Sequence, residues 1–250
     1  MSTKYLIKAI QLCCLLFISC RCFASADLEI WPVTVSWSTQ TTIPTVWLRN
    51  VGKDSVSLQV RILKWQQQNN QNIYSDQNTI YSLPTFVNLG PGQELPFRIY
   101  GENTNGRNED AYRIVIDQLP QLNLKPLKLN DSAVDIRMQY VLPFFVYQKG
   151  INKNDLPNID GFPGEKHHIQ WSVKGGNLQI QNFSKTHLKI ISVALRCGAE
   201  ICFKKNIPVT YVLSGANVTL PLSVPGPTQK KVTGLIINPA QSGEESFRKE

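Results

Sequence analysis

Apolar and polar residues alternate with period two along most of this chain. The clearest case runs from Val134 through Ile136, Met138 and Tyr140 to Leu142, interleaved with Asp135, Arg137 and Gln139. Side chains of a strand point to opposite faces in turn, so this stretch predicts a long β-strand with one apolar face. Past Leu142 the alternation gives way to a continuous run, Pro143-Phe144-Phe145-Val146. Proline has no N–H to give to a ladder, which puts the run at a sheet edge or a strand end. A strand of this kind either faces its own core or completes a sheet belonging to another molecule.

Similar patterns fill the rest of the chain. Upstream, strands are predicted over Leu28–Val35 (an edge, given Pro32), Thr45–Asn50, Ser55–Trp65, Tyr81–Val87, Leu95–Tyr100 and Tyr112–Ile116. Asn50–Asp54 and Leu89–Gln93 carry turn residues, and Gln66–Asn72 reads as a polar Asn/Gln-rich loop. Gln121–Ser132 is a long connection into the strand described first. Gly150–Pro163, rich in Asn, Asp, Pro and Gly, reads as a linker and sets a boundary near Gln148–Gly150. Shorter strands follow at His168–Val173, Leu178–Asn182, Lys189–Arg196, Ile207–Leu213, Asn217–Leu222 and Lys231–Asn238. No stretch has the period of a helix of several turns. The fold class is therefore all-β, with two sandwich domains over residues 27–149 and 150–250.

The N-terminus changes the picture by adding an address. Lys4 and Lys8, the apolar run Ala9–Ile18 and Ala24-Ser25-Ala26 form a signal peptide over residues 1–26. Its apolar run is too short to span a bilayer, so export without membrane insertion is expected. Phe17-Ile18-Ser19-Cys20 faintly resembles a lipoprotein signal, but the downstream A-x-A favours ordinary cleavage. Of the six cysteines, only Cys197 and Cys202 lie beyond this segment. A pair in an exported protein reads as one disulfide, here across a tight hairpin. A metal or redox site is the alternative, but the spacing is not C-x-x-C and no histidine lies near.

Charge excludes little. Removing Lys4, Lys8 and Arg21 leaves 23 basic against 18 acidic residues, net +5. The charges are dispersed, without the dense basic run of a nucleic-acid footprint. Catalysis usually calls on a positioned histidine, and only His167, His168 and His187 exist. His167 and His168 next to Glu165 suggest a metal, yet neighbours on a strand face opposite ways and do not share an ion easily. No phosphate loop, nucleophile elbow or zinc-protease motif is present. The reading is a protein that is not an enzyme and has neither cofactor nor metal.

A set of residues in order carries a resemblance. Trp47-Leu48-Arg49-Asn50 with Gly52, Pro84-Thr85-Phe86, Leu89-Gly90-Pro91-Gly92-Gln93 with Phe97-Arg98-Ile99, Glu109 with Tyr112-Arg113-Ile114, Gln118-Leu119-Pro120 and Leu142-Pro143-Phe144-Phe145-Val146 resemble the periplasmic pilus-assembly chaperones of the chaperone–usher pathway. The Tyr-Arg-Ile and Leu-Pro-Phe-Phe variants look most like the archaic branch serving spore-coat-U-type pilins. The resemblance is dense over Leu28–Val146 and thin beyond. It implies two immunoglobulin-like domains in a boomerang, located in the periplasm, with pilus subunits and an outer-membrane usher as partners. It also implies donor-strand complementation, in which Val134, Ile136, Met138, Tyr140 and Leu142 fill the groove of a subunit lacking its last strand. In the better-known branch an Arg on the first strand and a Lys on the donor strand grip the subunit's C-terminal carboxylate. Here Thr34, Val35 and Pro143 stand in those places. Arg113 is the substitute anchor, against a structural pairing with Glu109 or Asp117. The resemblance also assigns Glu109 to the hinge, although Tyr147 replaces its usual arginine partner. The alternative functions are an exported pilus subunit or adhesin, which should carry an alternating apolar arm at its mature N-terminus, and a carbohydrate-binding module, which should cluster exposed aromatics on loops.

Overall fold

A computed structural model describes residues 28–38, 43–102, 108–120, 137–148, 167–239 and 244–248. The signal peptide, the linker from Gly150 and the positions Val134 and Ile136 lie outside the described residues. Within them the fold is all-β, and it forms two sandwiches.

The first sandwich has one sheet in the order β1 (Leu28–Trp31), β3 (Thr45–Asn50), β8 (Glu94–Gly101), β6 (Ile80–Leu83). Its second sheet runs β2 (Val35–Ser38), β10 (Gln139–Tyr147), β9 (Glu109–Gln118), β4 (Val56–Gln68), β5 (Gln71–Ser75), with β7 (Phe86–Leu89) also on β4. The second sandwich packs β11 (Ile169–Lys174), β12 (Asn177–Asn182) and β15 (Asn217–Pro221) against β14 (Glu200–Val212), β13 (Leu188–Cys197), β16 (Gly234–Ile237) and β17 (Glu245–Arg248). The Cys197–Cys202 disulfide closes the β13–β14 hairpin with Cα atoms 5.7 Å apart.

Proline accounts for two differences from the sequence reading. Leu28–Val35 is not one strand but two, β1 in one sheet and β2 in the other, separated at Pro32. Tyr81–Val87 likewise splits at Pro84 into β6 and β7 on opposite sheets. In each case the residue without an N–H falls where the chain leaves one ladder for the next.

A third difference concerns Gln66–Asn72, which is a hairpin rather than a loop. Gln68 pairs with Gln71 across Asn69 and Asn70, whose φ values are +51° and +63°. Two central residues in the left-handed region make the tight turn whose twist matches its strands, and asparagine tolerates that region well. β17 was not anticipated either.

The core of the first sandwich includes Val46, Leu48, Phe97, Ile99, Ile114, Ile116 and Phe144. That of the second includes Leu178, Ile180, Ile190, Leu195, Leu235 and Ile237. Trp65, Ala111, Phe145 and Tyr147, all on strands of the first sandwich, are buried with the second core. The two halves therefore meet through a continuous apolar joint.

Candidate functional site: an open strand and the cleft beside it

β10 is bonded unequally along its two edges. It pairs antiparallel with β9 from Gln139↔Asp117 to Tyr147↔Glu109. Its other edge pairs with β2 only from Phe144↔Val35 to Tyr147↔Ser38. Among the described residues, Gln139 to Pro143 thus carries a ladder on one side alone. An edge without a ladder partner is a template for another strand.

The two faces of β10 serve different cores. Leu142, Phe144 and Val146 are buried in the first sandwich, with Tyr140 half-buried beside them. Phe145 and Tyr147 point the other way, into the second. The unbroken apolar run that sequence assigns to an edge or strand end is thus a strand buried on both faces. Moving back along the core-side face, Leu142 is 8% exposed and Met138 45%. Ile136 and Val134, the other two positions expected on that face, lie outside the described residues. Met138 is held to β9 by the Gln118 N–H donating to its carbonyl at 3.0 Å, while its own N–H reaches Gln118 Oε1 at 3.3 Å. Asp117 closes the open end, accepting from Arg61 Nη2 at 2.7 Å and Gln139 Nε2 at 2.5 Å. Burial pushes the Asp117 pKa up, but those bonds and the Arg61 charge leave it below the usual carboxylate value.

Arg113 sits on the outward face of β9, between Leu63 of β4 and Pro143 of β10. Neither pairing considered from sequence forms: Glu109 binds His187 and Asp117 binds Arg61. The Arg113 guanidinium carbon instead lies 3.7 Å from the centre of the Trp65 ring and 5.7 Å from that of Tyr211. Its Nε–H is buried with no acceptor among the described residues. Burial draws the Arg113 pKa below the usual guanidinium value, opposed by Tyr74, which hydrogen-bonds the side chain, and by Tyr211. Trp65, Arg113 and Tyr211 line a cleft of about 260 Å³ between the sandwiches.

Glu109 spans the joint. Its carboxylate accepts the His187 backbone N–H at 2.8 Å and meets Nδ1 of the same residue at 2.8 Å. The Glu109 N–H donates to the Lys185 carbonyl at 2.9 Å. The His187 ring stacks on Phe145, centroids 3.5 Å apart. Burial and the Glu109 charge push the Tyr147 hydroxyl well above the ordinary phenol range. His167, the metal candidate, is used on both ring nitrogens: Nδ1 lies 2.5 Å from Glu245 Oε1, and Nε2 lies 2.9 Å from the His187 carbonyl. A carboxylate and a carbonyl only accept, so the ring donates from both sides as the imidazolium. Burial alone would lower its pKa, but Glu245, the His187 carbonyl and Glu109 outweigh it and leave the value raised.

Sequence reasoning missed Trp65, Gln67, His187 and Tyr211. One signal was available for Trp65. It stands on the opposite parity to Val56, Leu58, Val60 and Ile62, hence on the opposite face of β4.

Two β-sandwiches meeting through one joint define a two-domain β-sandwich protein. Residues 27–152 match the family model described as "Pili and flagellar-assembly chaperone, PapD N-terminal domain". The chain belongs to this family of pilus-assembly chaperones. Comparison with curated protein sequences finds no match. Among solved structures, the chain is similar to one in the CsuC–CsuE chaperone–tip adhesion subunit pre-assembly complex, from archaic chaperone–usher Csu pili of Acinetobacter baumannii. Identity is 25% and the TM-score 0.57, over 78% of this chain and 90% of that one. The Salmonella enterica SafA pilin–SafB chaperone complex matches at 14% identity and TM-score 0.59, over 88% and 95%. The E. coli chaperone DraB matches at 16% and 0.56, over 89% and 95%. These last two speak to the fold. Among the described residues, no helix is long and apolar enough to cross a membrane.

Proposed function

We propose that this protein is a periplasmic chaperone that holds an incomplete pilus subunit by lending it the open part of β10, then passes it to an outer-membrane usher. The observation that carries this reading is the one-sided ladder from Gln139 to Pro143. A subunit lacking its last strand docks its own edge there. Val134, Ile136 and Met138 fill its groove, with Tyr140 at the rim and Leu142 seating the strand in the chaperone. Burying an apolar side chain stabilises by about 1.5–3 kcal/mol, so a few such residues sustain a subunit that cannot fold alone. No nucleotide is needed, because a neighbouring subunit's strand can later replace the lent one. Arg113 takes the subunit's C-terminal carboxylate, since a desolvated guanidinium with a spare N–H is completed by an anion that supplies acceptors. The domains are residues 27–149 and 150–250, after removal of residues 1–26.

The test changes Ile136 and Met138 together to Asp and co-expresses the variant with the subunit from a neighbouring reading frame. The variant should fold as the wild type does, and recovery of its subunit should be lost. Undiminished recovery refutes the donor role of these positions.

A further inference from the structure

The proposed carboxylate anchor is not the property of one sandwich. Arg113 and Trp65 belong to the first, whereas Tyr211, its ring centre 5.7 Å from the guanidinium carbon and edge-on to Trp65, belongs to β14 of the second. Tyr211 is also fixed from several directions. Its ring meets Trp65 edge-on at 5.8 Å and lies 5.5 Å from those of both Phe145 and His187. Burial pushes its hydroxyl above the ordinary phenol value, opposed by Thr34 of the first sandwich and by Arg113. Its backbone is held by Gln67, near the tip of the β4–β5 hairpin. Gln67 Nε2 donates to the Tyr211 carbonyl at 2.8 Å, and Gln67 Oε1 accepts the Leu213 N–H at 2.9 Å. One side-chain amide thus imitates a peptide unit against the edge of β14. The next link along the hairpin is Asn70 Oδ1, which accepts the Thr219 N–H at 2.7 Å.

From this arrangement we infer that Tyr211 and Gln67 are positioning residues for the anchor, and that Arg113 can take a carboxylate only while the hairpin holds the two sandwiches together. The inference rests on the reading of Arg113 as the anchor. A guanidinium laid over the Trp65 ring and braced by Tyr211 beside it keeps its plane fixed, and its Nε–H, without an acceptor among the described residues, is left for a carboxylate. Without the Tyr211 ring the group turns, gains water and loses that placement. Because the hairpin fixes Tyr211 through the backbone, loosening Gln67 has the same effect without touching the anchor.

Acetate is the probe, with uncharged acetamide as its control, titrated into the mature protein at constant ionic strength. The Arg113 Nε–H and Trp65 indole N–H resonances report binding. In the wild type, acetate should shift both and acetamide neither. Gln67→Ala and Tyr211→Ala should weaken acetate binding at least about threefold, the order of one cation–π contact, while Tyr211→Phe, which keeps the ring, should stay within about twofold of wild type. A wild type whose Arg113 signal ignores acetate overturns the anchor itself. A wild type that responds, beside Gln67→Ala and Tyr211→Phe variants both of wild-type affinity, leaves the anchor standing and overturns the positioning role if Tyr211→Ala is also unchanged. Should Tyr211→Ala fail to fold, undiminished affinity in Gln67→Ala alone is decisive against it.

Discussion

Replacing Glu109 by alanine should weaken the whole molecule, not one sandwich. The Glu109 carboxylate is 1% exposed and its partner His187 ring 4%, so their two contacts at 2.8 Å are made away from water. Alanine removes both acceptors and strands a buried backbone N–H and a ring nitrogen on the far side of the joint. Removing one partner of a buried, hydrogen-bonded pair costs about 3–5 kcal/mol. For a chain of this size each kcal/mol moves the melting temperature by ~2–4 °C, so a fall of roughly 10 °C is expected. Glu109→Gln keeps one carbonyl acceptor for the His187 N–H, and its amide can donate to Nδ1 in the other imidazole tautomer. That variant should lose only about 1 kcal/mol, one ordinary hydrogen bond's worth. Urea unfolding followed by tryptophan fluorescence reads both, because Trp65 is buried at the joint itself. A loss below about 1 kcal/mol in Glu109→Ala, or equal losses in the two variants, refutes the bridge as a stabilising contact.

Two further outcomes separate the parts of the molecule. Leu142→Ala should cost about 2–5 kcal/mol as a large-to-small change in a core, whereas Met138→Ala on the same strand face should stay within about 0.5 kcal/mol; equal urea midpoints would contradict the division of β10 at Tyr140. Because its folded pKa is raised, His167 contributes stability that is fully present below its unfolded value, about 6.5, and disappears as the pH climbs through the folded one. The urea midpoint of the wild type should therefore fall more steeply than that of Glu245→Gln between about pH 6 and pH 9, and parallel profiles would show that the Glu245–His167 contact carries no such linkage.

Period-two alternation was enough to find most strands, since each sheet has one buried face and the sequence records it directly. Val56, Leu58, Val60 and Ile62 are an example, and all four are buried. What alternation could not convey was a surface covered from both sides. Phe144 and Phe145 are equally buried, but in different cores, and only the meeting of the sandwiches explains why neither is polar. The cleft at Arg113 was illegible for a related reason. Arg113 and Tyr211 stand far apart in the chain, and Gln67 lies in a stretch whose polar composition looks like a loop. Their roles arise where one half touches the other, so no local pattern contains them. The resemblance marks Glu109 and Arg113, and the fold brings to them the partners that give them geometry, His187 and Trp65.

The shared anchoring of Phe144, Phe145, Val146 and Tyr147 has a mechanical consequence. The strand is clamped at one end by two hydrophobic centres and, among the described residues, laddered along one edge alone at the other, like a blade set in a handle. A force applied before Leu142 is resisted where both halves grip. The grip therefore sits with Phe144 to Tyr147 and not with the residues before them.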